Sequence, residues 1–299
     1  MFLDFIKVDI DLALFYLVDF IIAIALLSGM RFLSGLVGNV STSHELSKKD
    51  NQAFGVSLAG GMLALSIMLM GVVSGDAGFN LVNEAVSVIM YGVTGIILMW
   101  VTRIIFDRVS FPGLSIHDQI MQGNLAAGII DACNMIATAL IIRAAMIWVE
   151  GSTIMAILAV VISFVASQLI MSLATLYRRK VFEKRHNGEQ LHTAIENNNI
   201  ALALRFSAYR IGTAIAVSAA FSAIEYESEA FITVFALWFA AALILFVVLT
   251  LVAIVIRHAV LHRINIAEEV GQQGNIAVGA IEGSIYIVVG LIIAGLISS

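Results

Sequence analysis

Residues 51–61 read NQAFGVSLAGG, residues 124–134 NLAAGIIDACN, residues 199–209 NIALALRFSAY and residues 275–285 NIAVGAIEGSI. The four stretches align without a gap. Each begins with Asn (Asn51, Asn124, Asn199, Asn275), has Ala two residues on and Gly or Ala four residues on. Each opens a long apolar run directly after a basic connection. Self-similarity of this kind marks a repeat architecture. The unit is a hairpin: one span in, a basic loop, the Asn, and one span out. Four hairpins of one orientation are parallel repeats, unlike the inverted repeats of many secondary transporters.

The rest of the chain agrees with a membrane setting. Of 299 residues, 61% are hydrophobic and 12% charged, and the mean hydropathy is +1.01. Soluble domains run roughly 45–50% apolar and about 25% charged, so a soluble globular domain is excluded. A helix needs about 20 mostly apolar residues to cross a bilayer. Eight stretches qualify: 12–33, 53–75, 82–106, 125–148, 152–177, 200–224, 229–256 and 276–297. Their continuous apolar runs predict helices, not alternating barrel strands. The fold class is therefore an all-α polytopic membrane protein, with eight transmembrane helices in four parallel hairpin repeats and two pseudo-symmetric halves. The first half covers 12–148 and the second 152–298. Residues 1–11 carry Asp4, Asp9 and Asp11 where a signal peptide would be cationic, and are expected to form an interfacial segment. One cysteine, Cys133, excludes a disulfide framework within the chain.

Charge sets the orientation. The connections after the first, third, fifth and seventh spans hold Arg31, Lys48 and Lys49; Arg103 and Arg108; Arg178, Arg179, Lys180, Lys184 and Arg185; and Arg257 and Arg263. The opposite connections hold acids, among them Glu150, Glu225 and Glu227, and no Lys or Arg. By the positive-inside rule the basic connections are cytoplasmic and both termini lie outside.

The repeat positions have a physical meaning. Asn at a helix start caps free backbone N–H groups. Gly55, Gly128 and Gly279, one turn on, let helix backbones approach closely in lipid. The GN-x-A-x-G runs at Gly123–Gly128 and Gly274–Gly279, with looser versions at Asn51 and Asn199, also carry a resemblance. The chain resembles the YjfL-type inner-membrane family, also called domain of unknown function 350. That resemblance implies a four-span domain of two hairpins, present here twice over nearly the whole chain, in a bacterial inner membrane. It supplies no activity. It implies neighbours among membrane-stress and polyamine-related proteins. The third repeat departs from the pattern, with Asn198 before Asn199, Ala203 for Gly, and two arginines.

Ionisable groups within a span are functional candidates by default. Asp131 and Glu282 both lie seven residues past their repeat Asn, about 10 Å into the helix. The sixth span carries Arg205 and Arg210, the first Asp19 and the fourth Arg143. One account is interhelical pairing: Arg210 or Arg205 with Glu282 or Asp131, and Arg143 with Asp19. Another is a polar permeation or proton path lined by Asp131, Glu282 and Arg210. A third is contact with lipid headgroups. In each account Arg210 needs a partner or water, and the nearby acids are the expected partners.

His44, His117 and His192 fall seven residues before their Asn, where the fourth repeat has Glu268. Gathered around an axis, they would offer a divalent metal an imidazole and carboxylate ring; otherwise they line solvated helix faces. No nucleotide-binding loop, zinc-protease or hydrolase motif occurs, so no enzyme and no cofactor are expected. No basic run with interleaved aromatics points to nucleic acid. Membrane lipid and a homo-oligomer are the expected partners. The functions in competition are a channel or transporter for ions or small charged solutes, and a non-transporting scaffold or membrane-stress subunit.

Overall fold

The computed structural model describes residues 13–37, 41–73, 81–149 and 153–298. The expected interfacial segment 1–11 lies outside the described residues. The described chain is all α. Its elements are α1 (Ala13–Val37), α2 (Thr42–Ser47), α3 (Gln52–Val73), α4 (Leu81–Ile105), α5 (Ile116–Met121), α6 (Leu125–Val149), α7 (Ile154–Arg185), α8 (Leu191–Glu196), α9 (Ile200–Ser222), α10 (Phe231–Val260) and α11 (Ile276–Ile297). One π-helical stretch continues α4 (Phe106–Ser110) and another precedes α11 (Ala267–Gln272). Eight of these helices are long and apolar enough to cross a membrane. They fall on the eight stretches expected from the sequence.

Three helices run further than expected, α1 among them, to Val37. α7 continues through the basic run to Arg185, and α10 to Val260. The arginines Arg178, Arg179 and Arg257, assigned above to loops, are helical. Lys184, Arg185 and Arg257 stand in last turns, where cations suit carbonyls that lack partners.

A short helix or π turn stands before each repeat Asn: α2, α5, α8 and Ala267–Gln272. The chain then reverses through a single left-handed residue. These are Asp50 (φ 49°), Gly123 (85°), Asn198 (56°) and Gly274 (65°). Gly takes this conformation freely, and Asp and Asn are the side chains that best tolerate it. This explains why the residue before each Asn is drawn from those three types.

Packing follows the chain order. α3 packs on α6, α6 on α9 and α9 on α11. α4 lies against α3 and α6, α7 against α6 and α9, and α10 against α9 and α11, while α1 lies against α3 and α4. α11 has no packing interface with α3. Small residues permit the close crossings. A Cβ on Gly128 would lie 2.5 Å from the Ala53 carbonyl oxygen, and one on Gly279 would strike the Ala201 carbonyl oxygen. Gly55 differs from this expectation. Among the described residues a Cβ there would meet only Leu46, at 3.5 Å, so Gly55 is at no helix crossing with them. Under the short helices, Phe106, Phe111, Ile116, Ile120, Ile195 and Phe206 share one apolar cluster. Fully burying each such side chain contributes about 1.5–3 kcal/mol.

Candidate functional site

The four repeat asparagines fix the ends of the helices that carry the charges. Each Oδ1 accepts from the backbone N–H three residues on: Phe54 at 3.0 Å, Ala127 at 3.1 Å, Leu202 at 2.9 Å and Val278 at 3.3 Å. The amide Nδ2 does a second job. It donates to Ile120 O from Asn51 (3.0 Å), to Ile195 O from Asn124 (2.8 Å) and to Val270 O from Asn199 (2.9 Å). Three of the four asparagines thus tie their helix to the next short helix along the chain. Asn275 instead donates to Glu269 Oε2 at 2.8 Å, within its own turn.

Two charged clusters hang from this frame. Asp131, on the second turn of α6, is 4% exposed. It accepts from Arg103 of α4 through Nε (3.2 Å) and Nη2 (2.7 Å), and from Ser57 Oγ of α3 (2.5 Å). Arg103 Nη2 also donates to Ser57 Oγ at 3.2 Å. Two parallel N–H contacts to one carboxylate fix the guanidinium plane as well as its distance. The cluster is not sealed: the Arg103 side chain is 34% exposed. Beside it lies a cavity of about 210 Å³, lined by Phe54, Ser57, Trp100, Arg103, Asp107, His117 and Asp131 among others. A water molecule occupies about 30 Å³ of liquid, so the cavity has room for several.

The second cluster is more enclosed, with Arg178 and Arg205 lining a smaller cavity of about 30 Å³. Glu282 of α11 is fully buried between Arg205 of α9 and Arg257 of α10. Arg205 Nε lies 2.5 Å from Oε2 in an ion pair without hydrogen-bond alignment, and Arg257 Nη1 donates to Oε1 at 3.4 Å. Arg178 of α7 sits over the rings of Tyr209 (4.0 Å) and Tyr286 (4.4 Å). Ring faces attract a cation through their quadrupole. Counted from the capping Asn, Asp131 and Glu282 hold the same place, and Ser57 and Arg205 hold the same place six residues past Asn51 and Asn199. The first cluster balances one arginine against one acid. The second sets two arginines against one.

The expected pairing of Arg205 with Glu282 is present. Arg210 is a correction: its partners are neutral. It donates to Asn134 Oδ1 (2.6 Å), Thr175 Oγ1 (2.6 Å) and Met171 O (3.4 Å), and lies 4.8 Å from the Phe106 ring centre. Four residues past the acidic level, it has left the carboxylates behind and reached a polar seam between α6, α7 and α9. Arg143 lies along α3, where a Cβ on Gly71 would be 2.8 Å from its Cγ. Asp19, in α1, is 6% exposed.

The histidine level does not form a metal ring. Among the described residues no three His, Cys, Asp or Glu side chains are placed to hold a metal ion. His44 and His117 are exposed and His192 is half-buried. Glu268 accepts from Asn265 (3.2 Å) and Gln273 (3.4 Å) nearby in sequence.

Ser57, Arg103 and Arg257 escaped the sequence reading because two of them look like loop charges and the third like a packing serine. One signal was available. Arg31, Arg103, Arg178 and Arg257 all fall 18–21 residues before a repeat Asn, so an arginine recurs at a similar spacing before each.

The family profile described as Domain of Unknown Function (DUF350) matches the chain twice, over residues 9–146 and 152–297. The chain belongs to the DUF350 family. Its two DUF350 matches meet at the α6–α7 connection and place one charged cluster in each. A UPF0719 transmembrane protein of Aquifex aeolicus (strain VF5) is 27% identical over 99 residues, covering 33% of this chain and 37% of that protein. The chain thus spans just over a third of that relative's length. No solved structure matches it. This tandem DUF350 protein is a multi-pass membrane protein.

Proposed function

We propose that this DUF350 protein, a YjfL-type member in a bacterial inner membrane, moves ions or small charged solutes, and that it is not an enzyme. It is read as four parallel hairpins in two pseudo-symmetric halves, with both termini outside. The observation that carries the reading is the partly open Arg103–Asp131 pair beside its cavity. Charges within a span are costly unless they are paired or face water. Here both conditions meet, since the pair is made and the cavity reaches it. The more enclosed Arg205–Glu282–Arg257 cluster is then the structural counterpart in the other half.

The test is flux in proteoliposomes, screened over monovalent cations, anions and polyamines. Asp131→Asn should abolish or redirect a flux that the wild type shows. A stable Asp131→Asn variant with wild-type flux overturns the role of this cavity. A second reading, a scaffold subunit without transport, draws on the more enclosed Glu282 cluster and the neutral partners of Arg210. Absence of flux for all three solute classes in folded wild type would select it.

A further inference from the structure

We infer that a second copy of this chain docks head to tail, its α11 lying on α3 of its neighbour. The inference rests on reading the four hairpins as one repeat, but not on whether the protein transports.

The contact between successive hairpins is built the same way along the chain. The Asn amide donates to the next hairpin's short helix from Asn51, Asn124 and Asn199. The Ala two residues past Asn receives the Gly four residues past the next Asn, as Ala53 receives Gly128 and Ala201 receives Gly279. One turn deeper, the residue nine past Asn meets the residue eight past the next one: Gly60 against Ala132, and Ala208 against Gly283. Such a contact uses different faces on its two sides. A row of four hairpins therefore leaves one Ala-bearing face, on α11, and one Gly-bearing face, on α3. The row does not close on itself, because α11 has no packing interface with α3.

Both end faces are uncovered and match. On α11, Ala277 and Ser284 are exposed, whereas the residues equivalent to Ala277 in the other hairpins, Ala53, Ala126 and Ala201, are fully buried. On α3, a Cβ on the half-buried Gly55 would meet, among the described residues, only Leu46 at 3.5 Å, and Ala59 is exposed. Carrying the register on sets Ala277 against Gly55 and Ser284 against Ala59, small residues on both sides. Asn275 uses one amide hydrogen on Glu269. Its other hydrogen is directed by the same register to the Ser47 carbonyl of the next copy, the equivalent of Ile120 O and Ile195 O. Lipid alone would not call for small residues at these positions, because close backbone approach is what they serve. Heterologous contacts of this kind extend into rings or rows. In α2 the positions of Ile116 and Ile120 are taken by the exposed Ser43 and Ser47. The junction between copies thus lacks the apolar seal of the internal ones, which keeps a free end soluble as terminal repeats require.

The experiment is disulfide trapping in native membranes, with Cys133→Ala as background. Two differently tagged copies are co-expressed, one with Ala277→Cys and one with Gly55→Cys. Oxidation should shift them from the 32.1 kDa monomer to twice that mass, as a product carrying both tags. Ile232→Cys, 84% exposed, reports collisional trapping. No mixed product above that control, or trapping of Ala277→Cys mainly with itself, overturns the inference. A single chain with Ala126→Cys and Ala203→Cys tests the repeat register internally. Failure of that pair refutes the repeat reading; its success beside a failed mixed pair refutes only the second copy. Wild type should also run as an oligomer by light scattering in mild detergent, and Ala59→Trp should return it to monomer without loss of helicity.

Discussion

Arg103 of α4 grips Asp131 of α6 through two nitrogens, at 3.2 and 2.7 Å, across the π stretch and α5. The pair locks α4 to α6, and Ser57 adds α3. Glu282 is held from two helices as well, yet without any exposure. This difference in exposure sets the energetics of the two clusters.

Removing one partner of a fully buried pair strands the other, at about 3–5 kcal/mol. Water reaches Arg103, so the penalty there is smaller. Glu282→Gln should therefore destabilise by roughly 3–5 kcal/mol, and Asp131→Asn by about 1–3 kcal/mol. Thermal or denaturant unfolding in detergent checks this, and equal losses at both sites would contradict the difference in burial. Replacing Arg103 and Asp131 together by apolar residues should cost less than the sum of the single changes.

The glycine positions separate packing from pattern. Gly128→Ala pushes a Cβ to 2.5 Å from a backbone oxygen, and overpacking of this kind costs about 1–3 kcal/mol. Gly55→Ala meets only Leu46 at 3.5 Å among the described residues and should leave the monomer at least as stable, since Ala is the better helix former. Matched unfolding curves of the two variants decide the matter, and an equal loss would place Gly55 in a crossing after all.

Much of this was legible in the sequence, for a local reason. Apolar runs, a capping Asn and the residue type before it act within a few residues, so spans and helix starts can be read directly. The partners of the arginines were not legible. Arg210 was expected beside an acid, but its neighbours depend on which helices flank α9 and how deep each side chain sits. Asn134 and Thr175 lie 76 and 35 residues away from it in sequence, and neutral amides and hydroxyls carry no pattern that announces them. The same holds for the histidines, whose shared register says nothing of the distance between hairpins.

Topology is checked by single cysteines in the Cys133→Ala background. With the basic connections inside, Ser43→Cys and Glu189→Cys should resist an impermeant thiol reagent in intact cells. Ser228→Cys, exposed on the opposite connection, should react. Labelling of Glu189→Cys from outside would reverse the assignment.

Glu45, in α2, is a carboxylate outside the spans whose pKa is shifted. Lys49, at 2.7 Å, and to a lesser degree Asn51 hold it below the usual range, against burial, which acts the other way. A depressed pKa contributes stability above the unfolded value, near 4.3, and that contribution fades as pH falls through the lower folded value. Amide exchange over α2 and the turn to Asn51 should therefore speed up on acidification below that range, relative to the intrinsic rate. Glu45→Gln should be fast already at neutral pH. Exchange that ignores both changes would show the contact to be idle.

Arg210 tests how a guanidinium is kept in the middle of a bundle without an acid. Its bonds run to Asn134, Thr175 and Met171, all uncharged. Arg210→Leu removes the charge and leaves neutral acceptors unpaired, at roughly 1–3 kcal/mol each when buried. Had the partner been Glu282 or Asp131, the same change would strand a carboxylate at a larger cost, and a second change at that acid would rescue it. The expected rescue is instead at Asn134. Arg210→Leu combined with Asn134→Leu should recover part of the stability lost in Arg210→Leu, because both ends of the bond become apolar together. Arg210→Leu combined with Asp131→Asn should recover none and add its own loss, since the two sites share no bond. Unfolding of the two double variants beside the singles distinguishes these outcomes, and rescue through Asp131 in place of Asn134 would mean that Arg210 and the acid are coupled after all.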